Sequence, residues 1–396
     1  MNLDLSPSEI AFREKFRAWL RENLTDDLKW ERVADLSHSG AWEARRGFER
    51  RMGADGWLGV AWPREYGGQG ATLLEQVIYQ EELVRSGAPA LTSSVGLELV
   101  GPILMEVGSE EQRHRFLTPI LLGEEVWYQG FSEPNAGSDL AGLQTRAVLD
   151  GDEWVIHGQK VWGGFAEHAD WGAVLARTDP DAPKHRGISF MIVPMKAPGI
   201  TVSYIKEMTG GEHLNEVFFD GVRIPRENVL GPLNQGWRVA NRLLGYERGV
   251  MTLPFATRYE RFWEKLRDFA SSNRRRGERL SERPHIRAAL ARSYVDVQMM
   301  RLANLRWLTH YLRGTPPAEE TSYMKVYWAQ AHQGLGDLAL ELGGGAALGL
   351  PGELETLAAG AFSNEWAFSR STTILGGTQD IQRNIIAERI LGLPRA

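Results

Sequence analysis

The first residues that could do chemistry form a polar, turn-rich loop over residues 131–139. Ser132 and Ser138 supply hydroxyl groups, and Gly137 lets a ligand approach the backbone closely. Because such a loop leaves backbone N–H groups without partners, it can bind a flat polar ring system or a phosphate. The alternative is an ordinary capped linker, and the loop considered alone favours that alternative.

A second candidate segment, residues 158–164, places Trp162 directly before Gly163 and Gly164 at the end of a predicted strand. The two glycines leave the indole face accessible, so that face can pack on another flat ring. The chain contains 14 tryptophans, and a core position at a strand end is the more usual role for any one of them.

Two further segments combine glycine, hydroxyl and charged residues on predicted helices. Gly376 and Gly377 precede Thr378, a good N-cap residue, so the first N–H groups of that helix can point at a ligand. The alternative is a simple helix start. Glu247 and Arg248 are adjacent on another predicted helix, where such a pair usually lies on the surface.

Composition excludes several classes of function. The chain of 396 residues has no cysteine, which excludes disulfides, thiolate metal sites and thiol nucleophiles. A formal net charge of -6 argues against binding to nucleic acid, and the basic cluster 274–276 is expected to be a solvated loop or helix end. No run approaches the roughly 18 apolar residues of a membrane span. With no signal peptide visible after Met1, we expect a cytoplasmic protein, and we predict no metal site.

Hydrophobic spacing and turn residues predict helices at first and strands afterwards. Ser6 and Glu9 form a capping box ahead of a first helix, and residues 109–112 repeat that pattern. A β-hairpin is predicted over residues 148–156, around an Asp-Gly turn. Further short strands are predicted at 171–177, 188–193 and 217–221. Several short strands without intervening helices favour a small antiparallel barrel or sandwich.

The helical pattern returns after residue 235. Helices are predicted over residues 236–270, 284–313, 318–342, 353–370 and 378–390. The predicted fold is therefore α+β and mostly α. It has an N-terminal helical domain (1–123), a middle β domain (124–234) and a C-terminal four-helix-bundle domain (235–396).

Taken together, these segments resemble the acyl-CoA dehydrogenase family over essentially the whole chain. Residues 131–139 resemble its E-P-x-A-G-S-D loop, and residues 160–170 resemble its second flavin-contacting stretch. A third match is Gly377-Thr378-x-x-Ile381-Gln382-Arg383. Three specific motifs in the right order, on a helix–sheet–helix pattern, are not expected by chance.

The resemblance implies an FAD cofactor between the middle domain and the C-terminal bundle. It implies that Ser132 meets the pyrimidine edge of the flavin, that Trp162 packs on the flavin ring, and that Thr378 contacts FAD. The implied cofactor-binding residues are Phe131, Ser132, Trp162, Gly164, Thr378 and Asp380. The implied substrate-binding residues are Ser138, Arg248, Gly376 and Gly377.

The resemblance also implies a glutamate base that removes the α-proton of an acyl-CoA thioester. Many members carry this glutamate directly before the Gly-Thr pair, where this chain has Gly376. Members resembling isovaleryl- and long-chain acyl-CoA dehydrogenases carry it in an L-x-x-E-R pattern instead, which residues 244–248 match. Glu247 is therefore the implied base, with flavin N5 accepting the β-hydride. Arg248 would orient the substrate or shape the surroundings of the base.

Three positions depart from the family pattern. Gly164 stands where many members have a threonine or serine whose hydroxyl reaches the flavin N5 region. The R-x-x-F-G segment is not intact at 273–277, and none of its arginines is singled out. The Q-x-x-G-G-x-G loop appears at 340–346 without its glutamine and last glycine. The latter two changes imply weaker FAD binding across a subunit interface, or contacts from a different neighbour.

The resemblance implies an acyl-CoA substrate and an electron-transferring flavoprotein as electron acceptor. It implies a homotetramer or dimer, with a heterotetramer as the alternative. The position of the base favours branched, long or bulky acyl groups, steroid-like groups included, over plain medium chains. Gly164 motivates a second reading as an acyl-CoA oxidase or flavin monooxygenase. The changed interface motifs motivate a third reading, a non-catalytic subunit of a heteromeric dehydrogenase, although Glu247 argues against it.

Overall fold

The computed structural model describes residues 5–29, 40–248, 253–315, 320–348 and 361–394. Along these residues, helices precede a sheet and helices follow it, which confirms the predicted fold class. The last helix before the sheet ends at Leu121, and the first strand begins at Trp127. The three predicted domain boundaries stay a prediction, because these elements do not show which parts of the chain fold as separate units.

The N-terminal unit contains five α-helices and one π-helical turn among its described residues. They are α1 (Pro7–Asn23), α2 (Ala41–Ala54), α3 (Leu73–Ser86), the π turn Val95–Val100, α4 (Gly101–Val107) and α5 (Glu110–Leu121). Both predicted capping boxes are present, one from Ser6 and Glu9 at α1 and one from Ser109 and Gln112 at α5. Each box satisfies backbone N–H groups that a helix leaves without partners, which is why the helices begin there.

The middle unit is one sheet of seven strands. They are β1 (Trp127–Gly130), β2 (Arg146–Asp150), β3 (Glu153–Gly164), β4 (Trp171–Arg177), β5 (Ile188–Pro194), β6 (Ile200–Ile205) and β7 (Leu214–Pro225). The strand order is β1-β4-β2-β3-β7-β6, with β5 paired to β4. β2 and β3 form the predicted hairpin, with Gly151 at a φ of +63° in its turn. The sequence reading missed β1, which has only four residues, and β6, none of whose residues is fully buried.

One extended pair departs from the antiparallel arrangement that the sequence predicts. β1 and β4 run parallel, from Trp127 opposite Trp171 to Gly130 opposite Val174. The chain between them forms the β2–β3 hairpin, and this long excursion lets β4 return in the direction of β1. The sheet is therefore mixed, although most of its pairs are antiparallel.

The C-terminal unit is helical. The helices among its described residues are α6 (Gly236–Arg248), α7 (Leu253–Ser272), α8 (Pro284–Leu312), α9 (Glu320–Gly343), α10 (Ala361–Ser371) and α11 (Gln379–Ile385), which continues into a second π turn (Ile386–Ile390). The predicted helix 236–270 corresponds to α6 and α7, and residues 249–252 between them lie outside the described residues. Residues 353–360 of another predicted helix lie outside them as well. The basic cluster is not a loop or helix end but a short hairpin of β8 (Arg274–Arg275) and β9 (Glu278–Arg279).

Apolar packing joins the three units. Leu97 of the π turn, Phe131 after β1 and Leu243 of α6 belong to one buried cluster. α3 also packs along α7, where Arg85 pairs with Glu260 at 3.0 Å. Burial of this apolar surface is the main favourable contribution to holding the units together. As a result, the loop that follows β1, the π turn and α6 lie around a common region.

Candidate active site

The first two predicted segments lie next to each other. The Val161 N–H donates to the Ser132 carbonyl at 2.9 Å, and the Lys160 ammonium donates to the Phe131 carbonyl at 3.1 Å. Phe131 is buried with its ring edge-to-face against Phe190, and Ser132 is half-buried. The loop after β1 is therefore attached to β3 by bonds that do not use the Ser132 hydroxyl.

A buried ion pair fixes the same loop. Lys160 is fully buried and donates to Glu133 Oε1 at 2.8 Å. Glu133 also accepts from the N–H groups of Gln144 at 2.6 Å and Thr145 at 2.9 Å. Burial lowers the pKa of Lys160 to about 8, although Glu133 opposes that effect. Burial alone would raise the pKa of Glu133, but Lys160 and the backbone donors hold that pKa below its ordinary value.

Sequence reasoning assigned no role to Lys160 or Glu133. Both lie inside the segments that resemble flavin-contacting motifs, and that position is the signal that could have found them. Because the pair is charged at neutral pH and almost closed to solvent, it positions the residues on either side of it.

Trp162 is presented outward by a bulge in β3. The register of β3 against β7 shifts between Val161 and Gly163, and Trp162 lies in this bulge at a φ of +71°. Its side chain is 58% exposed, whereas Trp127 and Trp154 of the same sheet are buried. A Cβ on Gly163 would overlap the Tyr128 ring and approach Gln129 O to 2.8 Å. The bulge therefore requires glycine after the tryptophan, and it holds an indole face ready for a flat ring.

Gly164, the next residue, is not restricted in this way. A Cβ built there meets only the His213 carbonyl oxygen, at 3.6 Å, which is an ordinary contact. The structure therefore has room for the serine or threonine that many family members carry. Steric crowding around Gly164 therefore does not explain why this chain lacks the hydroxyl side chain.

The outer part of the loop 131–139 is open to solvent. Ser138 is exposed, and the adjacent Asp139 pairs with Lys184 at 2.5 Å on the surface. This exposure leaves Ser138 available to a large ligand that extends beyond the buried part of the loop.

The third predicted segment opens α11. Gly376 and Gly377 have φ angles of +64° and +93°, which favour glycine. A Cβ on Gly377 would also overlap the side-chain amide of Gln382. Thr378 is the N-cap, as predicted, and its hydroxyl accepts from the Ile381 N–H at 3.3 Å.

This segment belongs to the bundle. α11 packs on α9, and the hydrogen bonds described around Thr378 stay inside the C-terminal unit. Asp380 is exposed, with its carboxylate 3.5 Å from Arg383. Ile374 and Leu375, just before the glycines, are exposed apolar residues. The described contacts thus join the first two segments to each other but leave the third within its own unit.

The predicted base lies on α6. This helix extends from Gly236 to Arg248, and Leu244 packs against the buried cluster that contains Phe131. The backbone of Glu247 is therefore in a helix that packs on β5 and on the π turn Val95–Val100. The side chains of Glu247 and Arg248 lie outside the described residues, so their roles stay predictions.

The two segments that depart from the family pattern contact each other. Arg275 donates to the Leu342 carbonyl at 3.0 Å and lies near the Glu341 carbonyl, at the end of α9. The next residue after α9, Gly344, has a φ of +57°, and a Cβ there would lie 2.8 Å from the Arg275 guanidinium. Arg274 donates to the Gly277 carbonyl within the hairpin at 2.8 Å. Arg275 therefore binds the unpaired carbonyls at the end of a helix of its own chain.

The part of the chain that the structure describes contains neither a candidate metal site nor a candidate membrane-spanning helix. In those ranges, no group of histidine, aspartate and glutamate side chains could hold a metal ion. Among the helices of the same ranges, none is both long and apolar enough to cross a membrane.

Models of three protein domains match successive parts of the chain. Residues 6–124 match the acyl-CoA dehydrogenase N-terminal domain, residues 129–222 match its middle domain, and residues 234–391 match its C-terminal domain. These matches follow the same order as the helices, sheet and helices described above.

Related proteins cover nearly the whole chain. The acyl-CoA dehydrogenase IpdE1 of Mycobacterium tuberculosis is 40% identical over 391 residues, covering 97% of each protein. The protein of the same name from Mycolicibacterium smegmatis is 41% identical over 404 residues, again covering 97% of each.

Solved structures agree with these relationships. The Tcur3481-Tcur3483 steroid ACAD has a TM-score of 0.88 at 33% identity, and the match covers 100% of both chains. The ChsE4-ChsE5 complex from Mycobacterium tuberculosis has a TM-score of 0.88 at 31% identity, with the same coverage. The chain therefore belongs to the acyl-CoA dehydrogenase family of oxidoreductases.

Proposed function

We propose that this chain binds FAD and forms a double bond between the α- and β-carbons of an acyl-CoA thioester. The observation that carries the proposal is the outward-facing Trp162 beside a loop fixed by the buried pair Lys160 and Glu133. A stacking face and a rigid polar loop side by side suit a flat ring with polar edges.

The residues present fit a flavin. Trp162 offers a face for the ring, and the Ser132 segment offers polar groups beside it. The other residues that we assign to the cofactor are Phe131, Gly164, Thr378 and Asp380. When bound, FAD supplies the acceptor for the hydride that leaves the β-carbon.

The protein groups move the proton and stabilise charge. We assign Glu247 as the base whose carboxylate takes the proton from the α-carbon. As that proton leaves, negative charge grows on the thioester oxygen, and the Gly376 N–H is the proposed donor to it. Gly377 would lie against the thioester, Arg248 would orient the substrate, and Ser138 would face the coenzyme-A portion.

We propose a bulky, steroid-like acyl group as the substrate class. One support is the likeness to a solved steroid ACAD at a TM-score of 0.88 and 33% identity. A second is the absence of a glutamate at Gly376, which moves the proposed base to α6.

We further propose that the chain assembles with a second, non-identical dehydrogenase subunit. Arg275 is occupied at the end of α9, so it is not available to a cofactor of a neighbouring subunit in this arrangement. A different chain would then supply that contact. The solved ChsE4-ChsE5 complex shows that a relative is a complex of two proteins. Electrons would leave the reduced flavin to an electron-transferring flavoprotein.

An acyl-CoA oxidase or flavin monooxygenase is the second candidate, and the open space at Gly164 favours it. Oxygen reacts with a reduced flavin only if it can approach the ring. Rapid reoxidation of the substrate-reduced enzyme by air would support this candidate, whereas slow reoxidation by air and fast oxidation by an electron-transferring flavoprotein would support the dehydrogenase.

The test of the proposed function is an anaerobic titration of the purified yellow protein with short, branched, long and steroid-like acyl-CoA thioesters. We expect the steroid-like thioester to bleach the flavin absorbance. Bleaching by short straight chains alone would contradict the substrate class, and a flavin that no thioester bleaches would contradict the reaction. A colourless chain that turns yellow only with a second subunit would support the mixed assembly.

A further inference from the structure

The segment that carries Trp162 continues directly into a tight turn over residues 165–169. Phe165 has a φ of +60°, three residues after Trp162 at +71°. A residue other than glycine is strained in this backbone conformation, and the strain persists only where neighbouring groups fix the residue. The contacts that fix Phe165 therefore also support the bulge that presents Trp162.

The sheet holds one side of this turn through its backbone. The Phe165 N–H donates to the His213 carbonyl at 3.2 Å. The Ala166 N–H donates to Oδ1 of the fully buried Asn215 at 2.8 Å. These bonds do not hold the rings of Phe165 and His168, which are only partly buried. Both rings are contacted from another direction.

An aromatic residue of the N-terminal unit covers the two rings. The Trp42 indole, at the start of α2, stacks on the His168 ring with the centroids 3.9 Å apart and an interplanar angle of 17°. The same indole lies 5.7 Å from the Phe165 ring. Trp42 also packs against the buried cluster of the sheet that contains Ala166 and Ala169. Trp42 is thus a contact between the N-terminal unit and the turn that follows the Trp162 bulge.

The helix that carries Trp42 is itself firmly held. Arg46 and Glu49 form an ion pair at 2.7 Å in which both side chains are buried, so α2 is fixed within its own unit. Arg45 lies three residues after Trp42 and therefore on the same face of α2. Its guanidinium lies 5.7 Å from the centroid of the Phe165 ring, in a cation–π arrangement. Two side chains of one fixed helix therefore meet the same turn.

We propose that Trp42 is a positioning residue for the cofactor segment, and that its ring fixes the turn 165–169 and thereby the outward orientation of Trp162. The inference rests on the proposed function and adds a residue of the N-terminal unit to those that shape the flavin surface. Trp42 acts through the turn and touches neither flavin nor substrate. Without its ring, the strained backbone at Phe165 can relax, and the bulge that carries Trp162 loses its support.

The test uses the whole chain, with any second subunit that FAD binding requires. Hydrogen–deuterium exchange measures the opening of the peptide that contains Phe165 and Ala166, and it does not depend on any reaction. The fluorescence of bound FAD, at concentrations that saturate each variant, reports on Trp162, because an indole stacked on a flavin quenches its emission. We expect Trp42→Ala to exchange these amides about 10-fold faster, because aromatic contacts are lost. The same variant should show brighter bound FAD.

A conservative variant and a matched control locate the effect. Trp42→Phe should retain most of the wild-type exchange and fluorescence, because a phenyl ring still packs on His168. The control is Trp19→Ala, which removes another partly buried indole of the N-terminal unit. Among the described residues, the rings that contact Trp19 are those of Phe16, Phe48 and Trp57. This control should leave the exchange of the turn and the flavin fluorescence unchanged.

Faster exchange and brighter bound FAD in Trp42→Ala, with values close to wild type in Trp42→Phe and Trp19→Ala, would support the proposal. Wild-type exchange in Trp42→Ala overturns it. Equal acceleration in Trp19→Ala also overturns it, because the effect would then be a general loss of stability. Faster exchange with unchanged flavin fluorescence overturns it as well, since the turn would not position Trp162.

Two further outcomes are decided in the same way. If Trp42→Ala does not fold, His168→Ala removes the stacked ring from the turn instead, and wild-type exchange and fluorescence in that variant overturn the proposal. Faster exchange and brighter FAD in an enzyme whose flavin no thioester bleaches would support the role of Trp42 while contradicting the dehydrogenase reaction.

Discussion

The middle sheet and the C-terminal bundle both carry predicted site residues, but they hold them differently. In the sheet, the buried Lys160 pairs with Glu133 and lies two residues before the exposed Trp162 in β3. In the bundle, Gly376 and Asp380 lie on an exposed surface. The sheet holds its part of the site with a buried ion pair, whereas the described residues of α11 hold theirs with an N-cap hydrogen bond and a surface ion pair.

The bundle does contain a polar network, and its side chains are largely buried except for that of Arg258. His332 Nε2 lies 2.8 Å from Glu365 Oε1, and the Tyr259 hydroxyl lies 3.0 Å from His332 Nδ1. Arg258 donates to the other Glu365 oxygen at 3.3 Å. These residues come from α7, α9 and α10, so the network joins three helices. We infer that the Lys160–Glu133 pair in the sheet positions site residues, whereas the Glu365 network in the bundle stabilises helix packing.

The largest expected effect comes from breaking the pair in the sheet. Lys160→Met leaves Glu133 buried without its counter-charge, so the free energy of unfolding should fall by roughly 3–5 kcal/mol. FAD should be lost as well, because the loop after β1 is no longer fixed. Urea unfolding and the flavin content of the purified protein measure the two effects.

The matched control is Lys184→Met, which removes a lysine from an exposed pair with Asp139. It should change the free energy of unfolding by less than about 1 kcal/mol. A Lys160→Met variant as stable and as yellow as this control would show that the buried pair does not position the loop.

The network in the bundle should appear in the pH dependence of stability. Burial alone would raise the pKa of Glu365, but Arg258 and His332 hold it at about 2, below the ordinary value of 4.5. Between these two values the unfolded chain binds more protons than the folded chain. Stability from Glu365 is therefore complete above about pH 4.5 and is lost as the pH falls towards 2, by on the order of 3 kcal/mol.

Urea unfolding of the wild type and Glu365→Gln across this pH range is the measurement. The variant should be less stable at neutral pH and should lose less stability on acidification. Parallel curves for the two proteins would mean that Glu365 does not carry the acid dependence.

A smaller effect tests the role of the hairpin. Arg275→Met should lower the free energy of unfolding by about 1–2 kcal/mol, because the Leu342 carbonyl loses a charged donor. The FAD affinity of this variant should equal that of the wild type. Loss of FAD at unchanged stability would show that Arg275 reaches a cofactor and is not reserved for the end of α9. Arg276→Met, at an exposed neighbouring position, is the control.

The smallest effect is expected at Gly164 in the sheet, and the adjacent Gly163 provides the contrast. Gly164→Ser should change the free energy of unfolding by less than about 0.5 kcal/mol, because its Cβ has room. Gly163→Ser should cost roughly 1–3 kcal/mol, because its Cβ would overlap the Tyr128 ring. Thermal unfolding compares the two variants directly. Equal losses of stability would mean that the bulge does not restrict residue 163.

Local patterns in the sequence predicted the features that depend on local physics. The capping boxes at Ser6 and Ser109 and the β2–β3 hairpin depend on a few neighbouring residues, and all three are present. Features that join distant parts of the chain were missed or assigned wrongly. They are the parallel pairing of β1 with β4, the Lys160–Glu133 pair and the contact of Arg275 with α9.

In the candidate site too, the local motifs were predicted and the contacts between distant residues were not. Motif resemblance selected Ser132 and Trp162, and the structure brings their two segments together. The motif resemblance could not show that Trp162 occupies a bulge at positive φ. That conformation depends on the register of β3 against β7 and on the Tyr128 ring, which packs against Gly163. The resemblance also selected Glu247, and the mechanistic role of that glutamate stays a prediction.

The role of Glu247 is tested most directly by the anaerobic reduction of FAD in Glu247→Gln by the thioester that bleaches the wild-type flavin most strongly. We expect a yellow variant that binds this thioester and whose flavin is not reduced, because no carboxylate removes the α-proton. Reduction of the variant at the wild-type rate would show that Glu247 is not the base, since the proton would then leave to another group.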